Sequence, residues 1–128
     1  PRTLSFQTSN GESEIVVGGS LVVQGLLADG TVGASETISL NQSSLTTSKA
    51  FAKIKSITLP ADCSGGSIVK IGITNRLGLS NSLHGQNSIY KIKKNKADLV
   101  VENVDTDNST VEINGLSNDD NVTVWYRY

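Results

Sequence analysis

Polar and apolar positions alternate along this chain in short runs that end at Gly, Asp, Asn, Ser or Pro. Such runs are typical of half-buried β-strands. No window of a dozen residues combines helical spacing with capping residues, so we expect little helix. We predict nine or ten short strands, at 3–8, 14–17, 20–27, 34–40, 50–59, 69–73, 88–94, 98–103, 110–113 and 121–127.

The strand predicted over residues 50–59 changes parity midway. Ile54 shares one parity with the alanines before it, whereas Ile57 has the opposite parity. A regular strand would turn one of these isoleucines away from the core, because successive side chains point to opposite faces. The pattern therefore predicts a β-bulge near Lys55-Ser56 that keeps both halves facing inward.

Two apolar sheets must cover each other, so these strands predict an all-β fold of the β-sandwich or jelly-roll type. The 128 residues suffice for one domain. We expect residues 20–128 to form the β-sandwich domain and residues 1–19 to form an N-terminal arm or edge strands. Polar loops are predicted at 41–47 and 75–87, the second long enough to favour a binding role.

Composition limits the classes of protein to which the chain can belong. The longest apolar run, residues 15–23, is interrupted by Gly18-Gly19-Ser20, so no membrane span is expected. No basic segment precedes an apolar one at the N terminus, so no signal peptide is expected. Cys63 is the single cysteine, which excludes an intrachain disulfide.

Charge is unevenly distributed, although the net charge is only −1. From Lys49 to Lys96 the chain carries nine Lys or Arg and one acid, a net +8, whereas the remainder carries a net −9. Neighbouring strands could interleave these charges into a mixed surface. Alternatively, opposite patches could let two copies, or a copy and a partner, dock through complementary potentials.

Groups for catalysis or metal binding are sparse. His84 is the only histidine and lies in a Gly/Asn/Ser segment, without the partners that a Ser-His-Asp triad requires. One Cys and one His cannot supply the usual zinc ligand set. The segment from Asp105 begins like a calcium loop but has Leu116 where the bidentate Glu belongs. We therefore expect no enzyme activity and no cofactor.

Two clusters could serve binding instead. Lys91, Lys93, Lys94 and Lys96 form the densest basic segment, which suits a solvated or protected sheet face or an acidic partner. Too few aromatic residues lie beside them for nucleic acid binding. Trp125, Tyr126 and Tyr128 form the aromatic cluster, and strand alternation places Trp125 and Arg127 on the face opposite Tyr126.

Several sequence motifs resemble small β-sandwich virion proteins of tailed bacteriophages. The motifs are structural and together cover residues 20–128. They are Gly25-x-x-Ala-Asp-Gly, then SETISL from Ser35, TSKAFAKIKSIT from Thr47, GSIVKIGIT from Gly66, NRLGL from Asn75, YKIKK from Tyr90 and VTVWYR from Val122.

The resemblance implies a non-enzymatic capsid decoration protein on the virion surface. Its expected partner is the major capsid protein, and a homo-oligomer is expected, with a trimer favoured. The alternative is a carbohydrate-binding or adhesin module of a tail fibre, with Trp125, Tyr126 or Tyr128 as a stacking platform. For contacts with the capsid or another subunit, we consider residues 1–19, loop 75–87 and the side chains of Arg76, Leu77, Leu79, Lys91, Lys93, Trp125 and Arg127.

Overall fold

The fold is all-β, as the alternation predicts. A computed structural model describes residues 1–61 and 66–128. Its only helical element in those ranges is a 3-10 turn at Gln86–Ser88. There are eleven strands: β1 (Arg2–Ser9), β2 (Ser20–Leu27), β3 (Ala34–Ser39), β4 (Ser44–Thr46), β5 (Phe51–Thr58), β6 (Ile68–Gly78), β7 (Ile89–Lys94), β8 (Ala97–Leu99), β9 (Glu102–Asp105), β10 (Thr110–Glu112) and β11 (Val122–Tyr126).

An eight-stranded antiparallel sheet forms most of the molecule, in the order β3-β2-β5-β1-β6-β10-β9, with β4 also paired to β1. Strands β4 and β5 follow each other along the chain but pair with different strands of the sheet. Phe6 of β1 pairs with Leu45 of β4, whereas β5 touches β1 only at Phe51 and then pairs with β2. This change of partner is typical of a sheet corner, at which one sheet folds over to cover its own apolar face.

Strand β5 contains the bulge that its parity predicts. The register with β2 shifts between Gln24 and Gly25, which leaves Lys55 as the extra residue. A second shift, between Leu26 and Leu27, leaves Ala52 as an extra residue. The prediction that Ala52 faces the core together with Ile54 is therefore wrong. Because of the two bulges, Phe51, Ile54 and Ile57 all point to the face that the core side chains of β2 share. Phe51 and Ile57 pack in the first core, but Ile54 stays 39% exposed.

The first core lies between the two halves of the curled sheet. Phe6 of β1, Leu21 of β2 and Phe51 of β5 are buried in one cluster, and Val69 of β6 packs against it. The cluster comprises Leu4, Phe6, Leu21, Val23, Ile38, Leu40 and Phe51. It therefore holds together strands that are distant in sequence.

A second core lies under a separate three-stranded sheet of order β11-β7-β8. Its buried members are Leu79, Leu83, Ile89, Ile92, Val111, Ile113 and Leu116. Strand β6 contributes to both cores, because Val69 packs against the first and Leu77 against the second. This eleven-residue strand links the two layers.

Several expected boundaries are wrong. β1 lies in the middle of the sheet, with strands on both sides, so residues 2–9 are neither an arm nor an edge. Residues 14–17 form a single bridge at Glu14 instead of a strand. The loop expected at 41–47 contains β4, and β6 extends to Gly78, so the expected loop 75–87 is shorter. Local propensity missed these pairings because distant strands provide them.

Candidate binding surface on the small sheet

Strands β7 and β11 alternate between the second core and solvent. Ile92 pairs with Val124 and is buried. Its neighbours Lys91 and Lys93 therefore project to the other side, where Trp125 stands opposite Lys91. The predicted assignment of the two lysines and Trp125 to the outward face is confirmed.

We call this surface the outer face. It carries two contacts between a cation and an aromatic ring. The Lys91 ammonium nitrogen lies 5.5 Å from the centroid of the Trp125 ring, and the Arg127 guanidinium carbon lies 6.0 Å from that of Tyr90. Such contacts hold long side chains in a defined orientation while both groups remain accessible. The residues of the outer face are Tyr90, Lys91, Lys93, Asp98, Trp125 and Arg127.

One carboxylate lies among these cations. Asp98 Oδ1 is 3.9 Å from Lys91 Nζ and 3.7 Å from Lys93 Nζ. Exposed pairs of this kind contribute little to stability, so they leave the lysines free to exchange partners. With three cations and one acid, the outer face is net positive.

The remaining predicted interface residues lie elsewhere and have structural roles. Arg76 donates hydrogen bonds to the Asn103 carbonyl at 3.2 Å and to Thr110 Oγ1 at 3.3 Å, and forms an ion pair with Glu112 at 3.8 Å. It thereby ties β6 to β9 and β10. Leu77 packs against the second core.

Leu79 is buried in the second core, with only 7% of its surface exposed, so a partner protein cannot reach this side chain. The expectation of an interface at Leu79 is therefore corrected. Its apolar character serves packing between the layers, as does that of Leu77.

Tyr90 belongs to the outer face, although strict alternation along the strand predicts that it shares the face of Ile92. The register between β7 and β11 shifts between Trp125 and Tyr126, which leaves Tyr90 unopposed and 61% exposed. Ile89 and Ile92 are both buried at a spacing of three residues. That is the same signal as in β5, so the sequence contained the information for this second bulge.

The C-terminal aromatic residues do not form one platform. Tyr126 is half-buried, and its hydroxyl lies 3.0 Å from Ser80 Oγ and accepts a hydrogen bond from Asn81 Nδ2 at 3.3 Å. Its ring centroid lies 6.1 Å from that of Tyr128, with the planes tilted by 56°. Trp125 points to the opposite side of β11, so it lies on a different surface from the two tyrosines.

Lys94, grouped with Lys91 and Lys93 by sequence, turns away from the outer face. Its ammonium lies 3.8 Å from Asp120 Oδ2 and donates a hydrogen bond to the Gly115 carbonyl at 2.9 Å. Hydrogen bonds from the Ser117 backbone and the Asn95 side chain lower the pKa of Asp120, and Lys94 adds to this effect. Lys94 and Asp120 together fasten the β10–β11 connection to the small sheet.

The ion pairs show where the two charge blocks meet. Arg76 pairs with Glu112, and the lysines of β7 pair with Asp98 and Asp120. In this half of the molecule, basic and acidic segments interleave. In the described parts of the first layer, Lys53, Lys55 and Lys70 have no ion-pair partner.

The other candidate groups stay apart. His84 is exposed, and the Asp105 carboxylate accepts hydrogen bonds from Asn108 within its own turn. In residues 1–61 and 66–128, no three His, Cys, Asp or Glu side chains cluster as metal ligands would. Cys63 lies outside the described residues.

Comparisons with protein-family models, curated proteins and solved structures find no match for this chain. Of the helical segments in the described residues, none has the length and apolar character needed to span a membrane. The molecule is thus an all-β protein with two sheets, two cores and an exposed face of cations and aromatic rings.

Proposed function

We propose that this chain is a non-enzymatic structural protein of a bacteriophage virion, which binds the outside of the capsid as a decoration protein. The outer face of the small sheet is the contact surface. The observation that supports this contact surface is the pairing of Lys91 with Trp125, beside Lys93, on two paired and accessible strands. The capsid as partner follows from the resemblance of residues 20–128 to small virion proteins.

The chemistry of the outer face supports a protein partner with an acidic surface. Trp, Tyr and Arg are enriched at the centres of protein interfaces, where they bury large areas with few rotatable bonds. Lys91 and Lys93 would steer the chain toward acidic groups and fix its orientation. Trp125, 36% exposed, would provide the apolar anchor.

We expect the Trp125→Ala variant to bind capsids about 30-fold more weakly, equivalent to about 2 kcal/mol, because a central aromatic anchor is lost. The measurement is co-sedimentation of purified protein with capsids assembled without it, titrated to saturation. Wild-type protein should saturate at a fixed ratio to the capsid subunit.

The double variant Lys91→Glu with Lys93→Glu should bind capsids more slowly than wild-type protein, and its association rate should depend less on salt concentration.

The matched control is Lys53→Glu with Lys55→Glu, which makes the same charge change on β5, away from the outer face. This control should bind like wild type. Equal loss for both double variants would mean that net charge alone drives binding, and this outcome would contradict the assignment to the outer face. No saturable binding by wild-type protein would contradict the decoration proposal itself.

A carbohydrate-binding or adhesin module of a tail fibre is the second candidate. The accessible indole of Trp125 favours it, because exposed aromatic faces can stack on sugar rings. However, the Lys91 ammonium lies over that indole, so a sugar would have to displace it. Glycan-array binding that Trp125→Ala abolishes would favour this candidate over capsid decoration.

A further inference from the structure

The first half of β6 is an open sheet edge. Over residues 68–73 this strand pairs with β1 on one side, and β10 joins its other side only at Arg76–Gly78. In the described parts of the chain, no strand covers that other side from Ile68 to Thr74. Unpaired backbone N–H and C=O groups along a strand are a template for another strand.

This edge is apolar as well as open. Ile71 pairs with Phe6 and Ile73 pairs with Leu4, so these isoleucines point to the same side as the first core. Phe6 and Leu4 are buried, yet Ile71 and Ile73 are each 50% exposed. The first core therefore ends before it covers the inner face of β6.

The edge strands β3 and β11 have six and five residues, fewer than the seven of β6 that lack a partner strand. The other open strands carry features that discourage pairing. β8 and β9 are only three and four residues long, and β9 has a register shift and a left-handed Asn103. The open side of β5 carries Lys53 and Lys55. Short length, bulges and lysines are the usual protections of edge strands. β6 has seven free residues with one charge, at Lys70.

The total surface of the chain exceeds that of an ordinary monomer. Its accessible area is 7528 Å², whereas a monomer of 13.5 kDa is expected to expose about 6,500 Å². The excess of about 1,000 Å² is close to the area, about 800 Å², that each partner buries in a standard protein interface. The excess accessible surface of the single chain therefore has the size that a second subunit would cover.

We propose that two copies of this chain pair antiparallel through β6, about a two-fold axis at Ile71. This register pairs Val69 with Ile73, Ile68 with Thr74 and Lys70 with Gly72 of the second copy. It uses all seven free residues and places each lysine opposite a glycine, so no like charges meet. A β-sheet then runs continuously through both subunits.

Neighbouring registers are worse. An axis at Lys70 would place two lysines directly opposite each other, which is destabilising. An axis at Gly72 would bring Ile68 opposite Arg76, where β10 already occupies the edge. The two-fold register at Ile71 is thus the one that fits charge and available length. It yields a dimer in place of the trimer that the resemblance favours.

The test is the mass of the purified full chain by sedimentation equilibrium, at concentrations from about 1 to about 100 μM, the range that resolves moderate dimer affinities. Wild-type protein should have twice the chain mass of 13.5 kDa. Ile71→Lys should be monomeric, because two like charges then meet at the axis. Ile71→Glu should be monomeric as well, because two carboxylates meet there. An equimolar mixture of these two variants should regain the dimer.

Lys70→Glu is the control on the same strand, and it should stay dimeric because its neighbour across the axis is Gly72. Far-UV circular dichroism verifies that each variant is folded. If Ile71→Lys is less stable than wild type, the mixture of Ile71→Lys and Ile71→Glu still tests the interface, because only opposite charges at the axis restore the dimer. A monomer or trimer for wild type, or unchanged mass for Ile71→Lys, would overturn the proposal. β6 and the outer face belong to different sheets, so this test does not depend on capsid binding.

Discussion

Gly25 occupies a place where the backbones of two strands come close together. It lies in β2 opposite Ile54, next to the bulge at Lys55. A Cβ atom on Gly25 would collide with the Lys53 carbonyl oxygen and approach Phe51 Cδ1 to 3.1 Å. The bulges of β5 push its backbone toward β2, so the absence of a side chain at this one residue makes the strand pair possible.

We expect Gly25→Ala to lower the free energy of unfolding by about 3 kcal/mol, because the strand backbones must separate to admit a methyl group. Urea unfolding followed by circular dichroism measures this loss. Gly85→Ala is the control: Gly85 has extended backbone angles and nothing within 4 Å of the added Cβ, so a change within about 0.5 kcal/mol is expected. Similar losses in the two variants would contradict the close approach at Gly25.

At the scale of elements, bulges decide which side chains meet. β5 has two extra residues, Ala52 and Lys55. Phe51 and Ile57 pack in the first core, whereas Ile54 points to the same side but is 39% exposed. β7 has an analogous shift at Tyr90, which turns that ring toward Arg127. Without the shift in β7, strict alternation would expose either Ile89 or Ile92, which are both buried.

Deletion of Lys55 should leave the fold intact, with a stability loss of about 1 kcal/mol, because the remaining residues still pair in register with β2. Deletion of Val22 should prevent folding, since Leu21 and Val23 would become adjacent and could not both face the core. Thermal unfolding by circular dichroism compares the two. If both deletions were equally disruptive, Lys55 would not be the extra residue of a bulge.

The whole molecule has two cores that share β6. One end of this strand contacts the first core through Val69, and the other contacts the second core through Leu77. Arg76, near the junction, ties β6 to β9 and β10. Because one strand belongs to both layers, neither layer can lose β6 without exposing apolar surface of the other.

We expect Phe6→Ala, in the first core, to destabilise the second layer as well. Loss of a buried phenylalanine costs about 3–5 kcal/mol. Trp125, the only tryptophan, reports on the second layer by fluorescence, whereas circular dichroism reports on all strands. Both urea midpoints should fall together in the variant. A fluorescence midpoint that stays at the wild-type value would show that the layers unfold independently.

The outer face was only partly predictable from sequence. Alternation in β11 and β7 correctly placed Trp125, Lys91 and Lys93, because a two-residue period applies wherever pairing is regular. Alternation failed at Tyr90, where a register shift interrupts that period. Leu79 was misassigned because an apolar residue next to a loop has the same local pattern whether it is buried or exposed.

The sequence by itself determined the all-β class, most of the strand positions and the bulge at Lys55, because these follow from local periodicity and turn chemistry. Tertiary structure alone decided that β1 is central, that β4 exists and that β6 serves two cores. These features depend on pairings between residues about 30 to 75 positions apart, such as Leu4 with Ile73. Local patterns contain no information about which distant strand supplies the hydrogen bonds, and packing of the cores makes that choice.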